Sequence, residues 1–135
     1  MSVTEKLFRP LLSGDRSRPL ITHYDDAAGT RVELSVATMA NWAAKTANWL
    51  SEEFDVEPGS DVAVVLPAHW QTAGVLLGAW WCGAHVTTVS DGAAIALTAV
   101  DGSAQGAQAH AVVSLDPMGM GLRADPPAGT LDYIA

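Results

Sequence analysis

Four histidines, one cysteine, two glycine-framed stretches and the acidic pair Asp25-Asp26 are residues of this chain whose types suit chemistry. His23, His69, His85 and His110 stand far apart, and none keeps the short spacing from another histidine, from Cys82 or from an acidic neighbour that a metal site uses. Each reads as a structural residue on or beside a strand. A serine nucleophile would call for a Gly-x-Ser-x-Gly elbow, which the chain lacks. Gly102-Ser103-Ala104-Gln105-Gly106 is framed by glycines, but a phosphate loop also needs a strong strand before it and a lysine after it. The two lysines, Lys6 and Lys45, follow no glycine-rich loop. Gly119-Met120-Gly121 has neither a strand before it nor a helix after it. Asp25-Asp26 stands in Asp25-Asp26-Ala27-Ala28-Gly29, where a carboxylate bonding nearby amides is ordinary turn chemistry. The expectation is therefore no catalytic residue, no cofactor and no metal.

Composition narrows the partners. With 49% hydrophobic and 16% charged residues in 135 positions, the chain reads as one globular domain. A net charge of -8 opposes nucleic acid and anionic lipid, since both would repel it. Cys82 has no internal disulfide partner and lies in an apolar helix pattern, which fits a reducing cytoplasm. Glu5, Lys6 and Arg9 interrupt the apolar start, unlike a signal peptide, and the most apolar window, Val75 to Cys82, is too short to span a bilayer.

The elements follow from periodicity. Residues 3 to 13 read as a short helix, with Thr4 as cap and Leu7, Phe8, Leu11 and Leu12 on one side, bent or started by Pro10, packing on the domain as a lid. Alternation at 19 to 24 and 31 to 34 across the acidic turn predicts a hairpin. Ser35 is placed to cap a helix whose stripe, Val36, Met39, Ala43, Ala47, Leu50 and Phe54, faces the core. Trp42 and Trp49 lie on a flanking stripe, as a second contact surface. After Pro58-Gly59, the strand 61 to 66 is apolar on both faces and so central. A helix from about 69 to 82 is apolar nearly all round, with Trp70, Ala73, Leu77 and Trp81 on one face and Val75, Leu76, Ala79 and Trp80 over the rest. Gly83 suits its left-handed end, and 85 to 89 resumes as a strand parallel to the first. Ala93 to Val100 reads as a short helix, Gly102 to Gly106 as a flexible link and 109 to 115 as a short strand. Residues 1–115 make one α/β domain, and 116–135 an irregular Pro/Gly-rich tail.

The run Val56-Glu57-Pro58-Gly59-Ser60-Asp61-Val62-Ala63-Val64-Val65-Leu66-Pro67, its helix, and Cys82-Gly83-Ala84 before the next strand resemble the N-terminal region of the AMP-binding, adenylate-forming enzymes. There the text reads like V-x-P-G-D-R-V-A-L-L-L-P-N, then a helix ending L-x-A-G-A. Leu34-Ser35-Val36-Ala37-Thr38-Met39 is a loose version of that family's first core motif, L-T-Y-x-E-L, without its Tyr and Glu. The resemblance covers about residues 18 to 115. It is greatest to short, uncharacterised actinobacterial proteins that look like an isolated N-terminal piece of these acyl-CoA synthetase-like enzymes. It implies an α/β fold with a partial three-layer sheet and a parallel strand-helix-strand unit. The family's chemistry resides in a Ser/Thr/Gly-rich loop ending in Pro-Lys, a Tyr-Gly-x-Thr-Glu segment and a small hinged C-terminal domain with a catalytic lysine, none of which stands in this text. The chain reads as a shortened member or a fragment, inactive alone.

Two function classes follow: a non-catalytic remnant acting in binding or assembly, and half of a split enzyme completed by another chain. The apolar helix is too large for so short a chain to surround, which makes Trp70, Leu76, Trp80 and Trp81 the candidate interaction surface, for a homodimer or another protein partner. The competing expectation is that the N-terminal helix and the tail fold back over this patch.

Overall fold

A computed structural model describes residues 2–134. The chain opens with α1, Val3–Leu12, capped by Ser2 and not by Thr4. Ser2 Oγ accepts from the Glu5 amide at 3.1 Å, and Glu5 Oε1 accepts from the Ser2 amide at 3.3 Å, a reciprocal capping box. Thr4 is instead fully buried, its hydroxyl donating to the Leu77 carbonyl at 2.6 Å. Pro10 lies inside the helix, which continues past it to Leu12.

Strands β1 (Pro19–Asp25) and β2 (Thr30–Ser35) form the antiparallel hairpin. Asp25 Oδ1 accepts from the Ala28 amide at 3.1 Å, so the acidic pair does supply turn chemistry. Ser35 ends β2 and caps α2, Val36–Phe54, accepting from the Thr38 amide at 3.2 Å. The stripe Val36, Met39, Ala43, Ala47 and Leu50 is buried, and Phe54 packs partly buried beside it.

Strand β3 (Asp61–Val65) leads to α3 (Trp70–Trp81) and then to β4 (His85–Thr87), and β3 and β4 are parallel neighbours with Val62 opposite Val86. Gly83 joins helix to strand at φ 76°, and a Cβ there would lie 3.2 Å from Pro58, so both backbone conformation and contact favour glycine. The remaining strands are β5 (Ile95–Thr98), β6 (His110–Val112) and β7 (Leu131–Asp132). The order is β4-β3-β5-β6-β7, every pair parallel.

Two expectations are corrected here. Residues 93 to 100 are not a helix: Ile95, Ala96, Leu97 and Thr98 are a strand buried on both faces between β3 and β6, where a continuous apolar run replaces alternation. The tail is irregular over most of its length, but it ends in β7, and Tyr133 beyond it is buried in the main core.

The two sheet faces are covered differently. Val62, Val64, Ile95, Leu97, Ala111 and Val113 meet Val75 and Ala79 of α3 and Leu50 of α2 in the main core. On the other face Ala63, Ala93 and Ala96 are covered by Ala104 and Ala107 of the loop between β5 and β6, without a helix. Alanine lets that loop lie close to the sheet. The layering is thus partial. Phe8, Leu34, Val36, Met39, Ala43 and Trp70 form a second cluster, where α1 and the hairpin close on α2 and α3.

Candidate functional site

An apolar groove runs where α1, β1 and α3 meet. It encloses about 280 Å³ and is lined by Leu7, Leu20, Ile21, Ala73, Leu76, Leu77 and Trp80. Three local features hold it open. The Thr4 hydroxyl on the Leu77 carbonyl pins α1 to α3, and buried Phe8 anchors the same helix, so Leu7, one residue before it, points away from that anchor. Strand β1 presents Leu20 and Ile21 at its start, where the register with β2 shifts. The groove's rims are Leu7, 45% exposed, and Trp80, 38% exposed. This much uncovered apolar surface can take an apolar side chain by desolvation alone, each worth about 1.5–3 kcal/mol when fully buried.

The four residues proposed from the sequence therefore separate. Leu76 and Trp80 line the groove, whereas Trp81 lies across α1 in a second depression with Glu5, Phe8, Arg9 and Leu12. Trp70 is no surface residue. It is 3% exposed, sets its ring edge against Trp42 at 5.1 Å, and donates its Nε1–H to the Pro117 carbonyl at 2.9 Å. Segment 115–119 covers it, and Gln71 secures that segment by donating to the Asp116 carbonyl at 2.8 Å and accepting from the Leu115 amide at 3.3 Å. Segment 115–119 and Trp42 cover Trp70, whereas Leu76 and Trp80 line the open groove beside α1. Leu20 and Ile21 escaped sequence reasoning because a hairpin strand does not reveal which helix it will border.

Trp42 and Trp49 do not form a free second surface. Tyr133 sits with them, stacked on Trp42 at 6.3 Å and edge-on to Trp49 at 5.7 Å. Its hydroxyl shares a 2.5 Å hydrogen bond with Thr46, and burial pushes its pKa up to about 12. A depression of about 190 Å³ remains there, with Lys45 and Ile134 completing its wall.

The histidines and the cysteine have mostly separate surroundings. His110 Nε2 pairs with the Thr98 hydroxyl at 2.8 Å, and burial lowers its pKa. His85 meets Asp61 at 2.8 Å in an exposed pair. Cys82 offers its thiol to the Ala47 carbonyl at 3.2 Å, and burial raises its pKa, which keeps it a thiol and not a nucleophilic thiolate. His23 and His69 do come together, with ring centroids 4.4 Å apart. His69 Nδ1 accepts the Gln71 amide at 3.0 Å as the cap of α3, so the proton of its neutral ring is on Nε2, which makes that nitrogen a donor and not a metal ligand. No cluster of three or more potential metal-ligating side chains exists among the described residues. The glycine-framed stretch 102 to 106 is no phosphate cradle: a Cβ on Gly106 would collide with Asp91, whose carboxylate occupies the approach an anion would need. Gly119 fills a different need, with φ 77° and the Trp70 and Trp42 rings too close for a side chain. No helix among the described residues is long and apolar enough to cross a membrane.

No protein-family model matches the chain. A Mycobacterium tuberculosis (strain H37Rv) protein described as "TIGR03089 family protein" is 48% identical over 136 residues, which cover 92% of this chain and 54% of that protein. The chain thus spans about half the length of this curated relative. Among solved structures, an acyl-CoA synthetase from Brucella canis matches with a TM-score of 0.76 at 17% identity, over 97% of this chain and 26% of that one. Acetoacetyl-CoA synthetase from Streptomyces lividans matches at 0.75 and 16%, over 97% and 24%. A fatty acid AMP ligase from Legionella pneumophila matches at 0.64 and 14%, over 74% and 20%. Identities this low speak for fold alone. The parallel sheet with its crossover helix, found in about a quarter of each longer synthetase chain, is the fold of the N-terminal part of the AMP-binding, adenylate-forming enzymes.

Proposed function

We propose that this chain is a non-catalytic unit of adenylate-forming fold that acts in binding or assembly, and that it engages a protein partner or a second copy through the groove of Leu7, Leu20, Ile21, Ala73, Leu76, Leu77 and Trp80. The observation that carries this reading is the groove itself: seven apolar side chains with two exposed rims, on a chain whose lysines and glycine loops are not arranged to hold a triphosphate. Adenylate formation must stabilise charge on phosphates with positioned amides, a cation and magnesium. Here Lys6 and Lys45 stand on α1 and α2, away from the glycine-framed loop between β5 and β6.

The test has two arms. Leu76→Ser with Trp80→Ser removes the groove's apolar character at partly exposed positions, so the fold should persist while association at micromolar concentration falls in sedimentation velocity. A wild-type chain that sediments as a monomer and binds no hydrophobic dye would refute the docking reading. In the second arm, the purified chain should catalyse no carboxylate-dependent exchange of pyrophosphate into ATP. Exchange above a buffer blank, from a preparation free of host synthetases, would refute the non-catalytic reading.

A second reading is favoured by one specific observation. The matched synthetases are about four times longer, and this chain corresponds to only 26% and 24% of two of them. Half of a split adenylate-forming enzyme would need another polypeptide to supply the phosphate loop and hinged domain. Pyrophosphate exchange that arises only when a second chain is added to this one would favour it over the first reading.

A further inference from the structure

His23 of β1 and His69, the cap of α3, touch at a 4.4 Å ring separation and carry two of the few buried polar atoms left without a hydrogen-bond partner: Nδ1 of His23 and Nε2 of His69. Because His69 Nδ1 accepts the Gln71 amide, neutral His69 presents Nε2–H, an unpaired donor. Neutral His23 with its proton on Nε2 presents Nδ1 as an unpaired acceptor. The two are complementary as donor and acceptor on rings in contact. We propose that His23 and His69 form a proton-operated clasp, closed by a His69 Nε2–H to His23 Nδ1 hydrogen bond when both rings are neutral and opened when either takes up a proton.

Each protonation breaks it by a definite route. A proton on His23 Nδ1 turns the acceptor into a second donor facing the first. A proton on His69 must go to Nδ1, where it removes the acceptor that caps α3 and points N–H at N–H. Charge on both rings would add repulsion at contact distance. What opens is specific, because the capped turn also carries Trp70 and Gln71, whose side chains hold Pro117, Asp116 and Leu115. The clasp therefore links the hairpin to α3 and to segment 115–119. The charged groups facing His69 are His23 and Asp25 from β1 and Asp116 from segment 115–119, and the Leu115 backbone approaches the ring as a competing acceptor that falls short of hydrogen-bond geometry. Burial first, and His23 second, hold its pKa below the ordinary 6.5, against the approach of the Leu115 backbone as a hydrogen-bond partner and the two carboxylates. A base with a lowered native pKa takes its proton more readily in the opened chain. The clasp is therefore complete above about pH 6.5 and is lost as pH falls from there through the native value.

The experiment follows the full chain from pH 7.5 to 5 by hydrogen exchange at the Gln71 amide, corrected for intrinsic rate, with ¹⁵N spectra of the histidine rings. In the wild type, protection should fall by up to about tenfold per pH unit below 6.5, and the His69 ring should carry its proton on Nε2 at pH 7.5. His69→Asn keeps a capping acceptor but cannot titrate, so its protection should stay flat over this range. His23→Leu should move the His69 titration upward. Equal loss of protection in wild type and His69→Asn, a His69 ring protonated on Nδ1 at pH 7.5, or a His69 titration indifferent to His23→Leu would each overturn the clasp. The ring spectra of the wild type alone keep it refutable if either variant fails to fold.

Discussion

Substitution of two glycines one turn apart on α3 should have opposite effects. At Gly78 an added Cβ would lie 2.5 Å from both Cβ and Cγ2 of Thr46 and 3.1 Å from the Ala43 carbonyl, a backbone atom of α2 that cannot swing away. At Gly74 it would meet Trp42 Cβ at 3.6 Å and Met39 Cε at 4.0 Å, ordinary contact distances. Both substitutions gain the same helical propensity, about 0.8–1 kcal/mol for Ala over Gly. Gly74→Ala should keep most of that gain. Gly78→Ala should lose it against overpacking of about 1–3 kcal/mol, with more lost if Thr46 is pushed off the hydroxyl of Tyr133, a hydrogen bond worth about 1 kcal/mol. The net expectation is about 1–2 kcal/mol of destabilisation for Gly78→Ala and up to about 1 kcal/mol of stabilisation for Gly74→Ala. Urea unfolding followed by tryptophan fluorescence measures both, since five tryptophans report on the fold. Thr46→Ser removes Cγ2 but keeps the hydroxyl, so it should recover part of the loss in the Gly78→Ala background. A Gly78→Ala chain as stable as wild type would refute the close approach of α2 and α3 at this point.

Further outcomes follow from the ends of the chain. Tyr133, with its pKa raised to about 12 from an ordinary 10, contributes stability that is complete below about pH 10 and is lost as pH rises through 12. Tyr133→Phe should abolish that alkaline loss while costing about 1–2 kcal/mol at neutral pH, because the Thr46 hydroxyl is left unpaired; a spectrophotometric titration with urea midpoints at pH 8 and 11 checks both. Ser2→Ala should cost about 1 kcal/mol through loss of the capping box, seen as faster hydrogen exchange at the Glu5 amide, and exchange unchanged from wild type would count against that cap.

The legible part of the fold was the part with a clear local period. The β3-α3-β4 unit, the hairpin and α2 with its Ser35 cap each follow from spacing that one side of a strand or helix imposes on its own residues. Strand β5 was not legible, because burial on both faces removes alternation, and Ala93, Ala94, Ala96 and Ala99 then imitate a helix. Ala93 and Ala96 are small for a reason that lies elsewhere in the chain: the loop carrying Ala104 and Ala107 must lie flat on this face. Trp70 was misplaced for the same kind of reason. Its exposure depended on segment 115–119, whose Pro and Gly content reads as loose although the Trp70 and Gln71 side chains bind its backbone. The groove was half legible, through Leu76 and Trp80, since its other wall comes from two elements distant in sequence.

The uneven cover of the sheet bears on which face is better shaped to take an apolar side chain. The loop face is closed by alanine against alanine, and Val65, two residues after Ala63 on β3, remains 47% exposed and lines none of the described depressions. The helix face is thicker and has the reverse character: its core is complete, but the outer surface, where α1 and the hairpin meet α3, retains a bounded apolar groove. Boundedness separates them, because a partner side chain in the groove can be desolvated on several sides, whereas one resting on Val65 stays largely in water. The groove also lies beside α1, whose attachment includes the buried Phe8 side chain and one buried hydroxyl contact from Thr4 to Leu77. Weakening that attachment should widen the groove before it unfolds the sheet, because the β3-β5-β6 core packs on α3 and α2 without using α1.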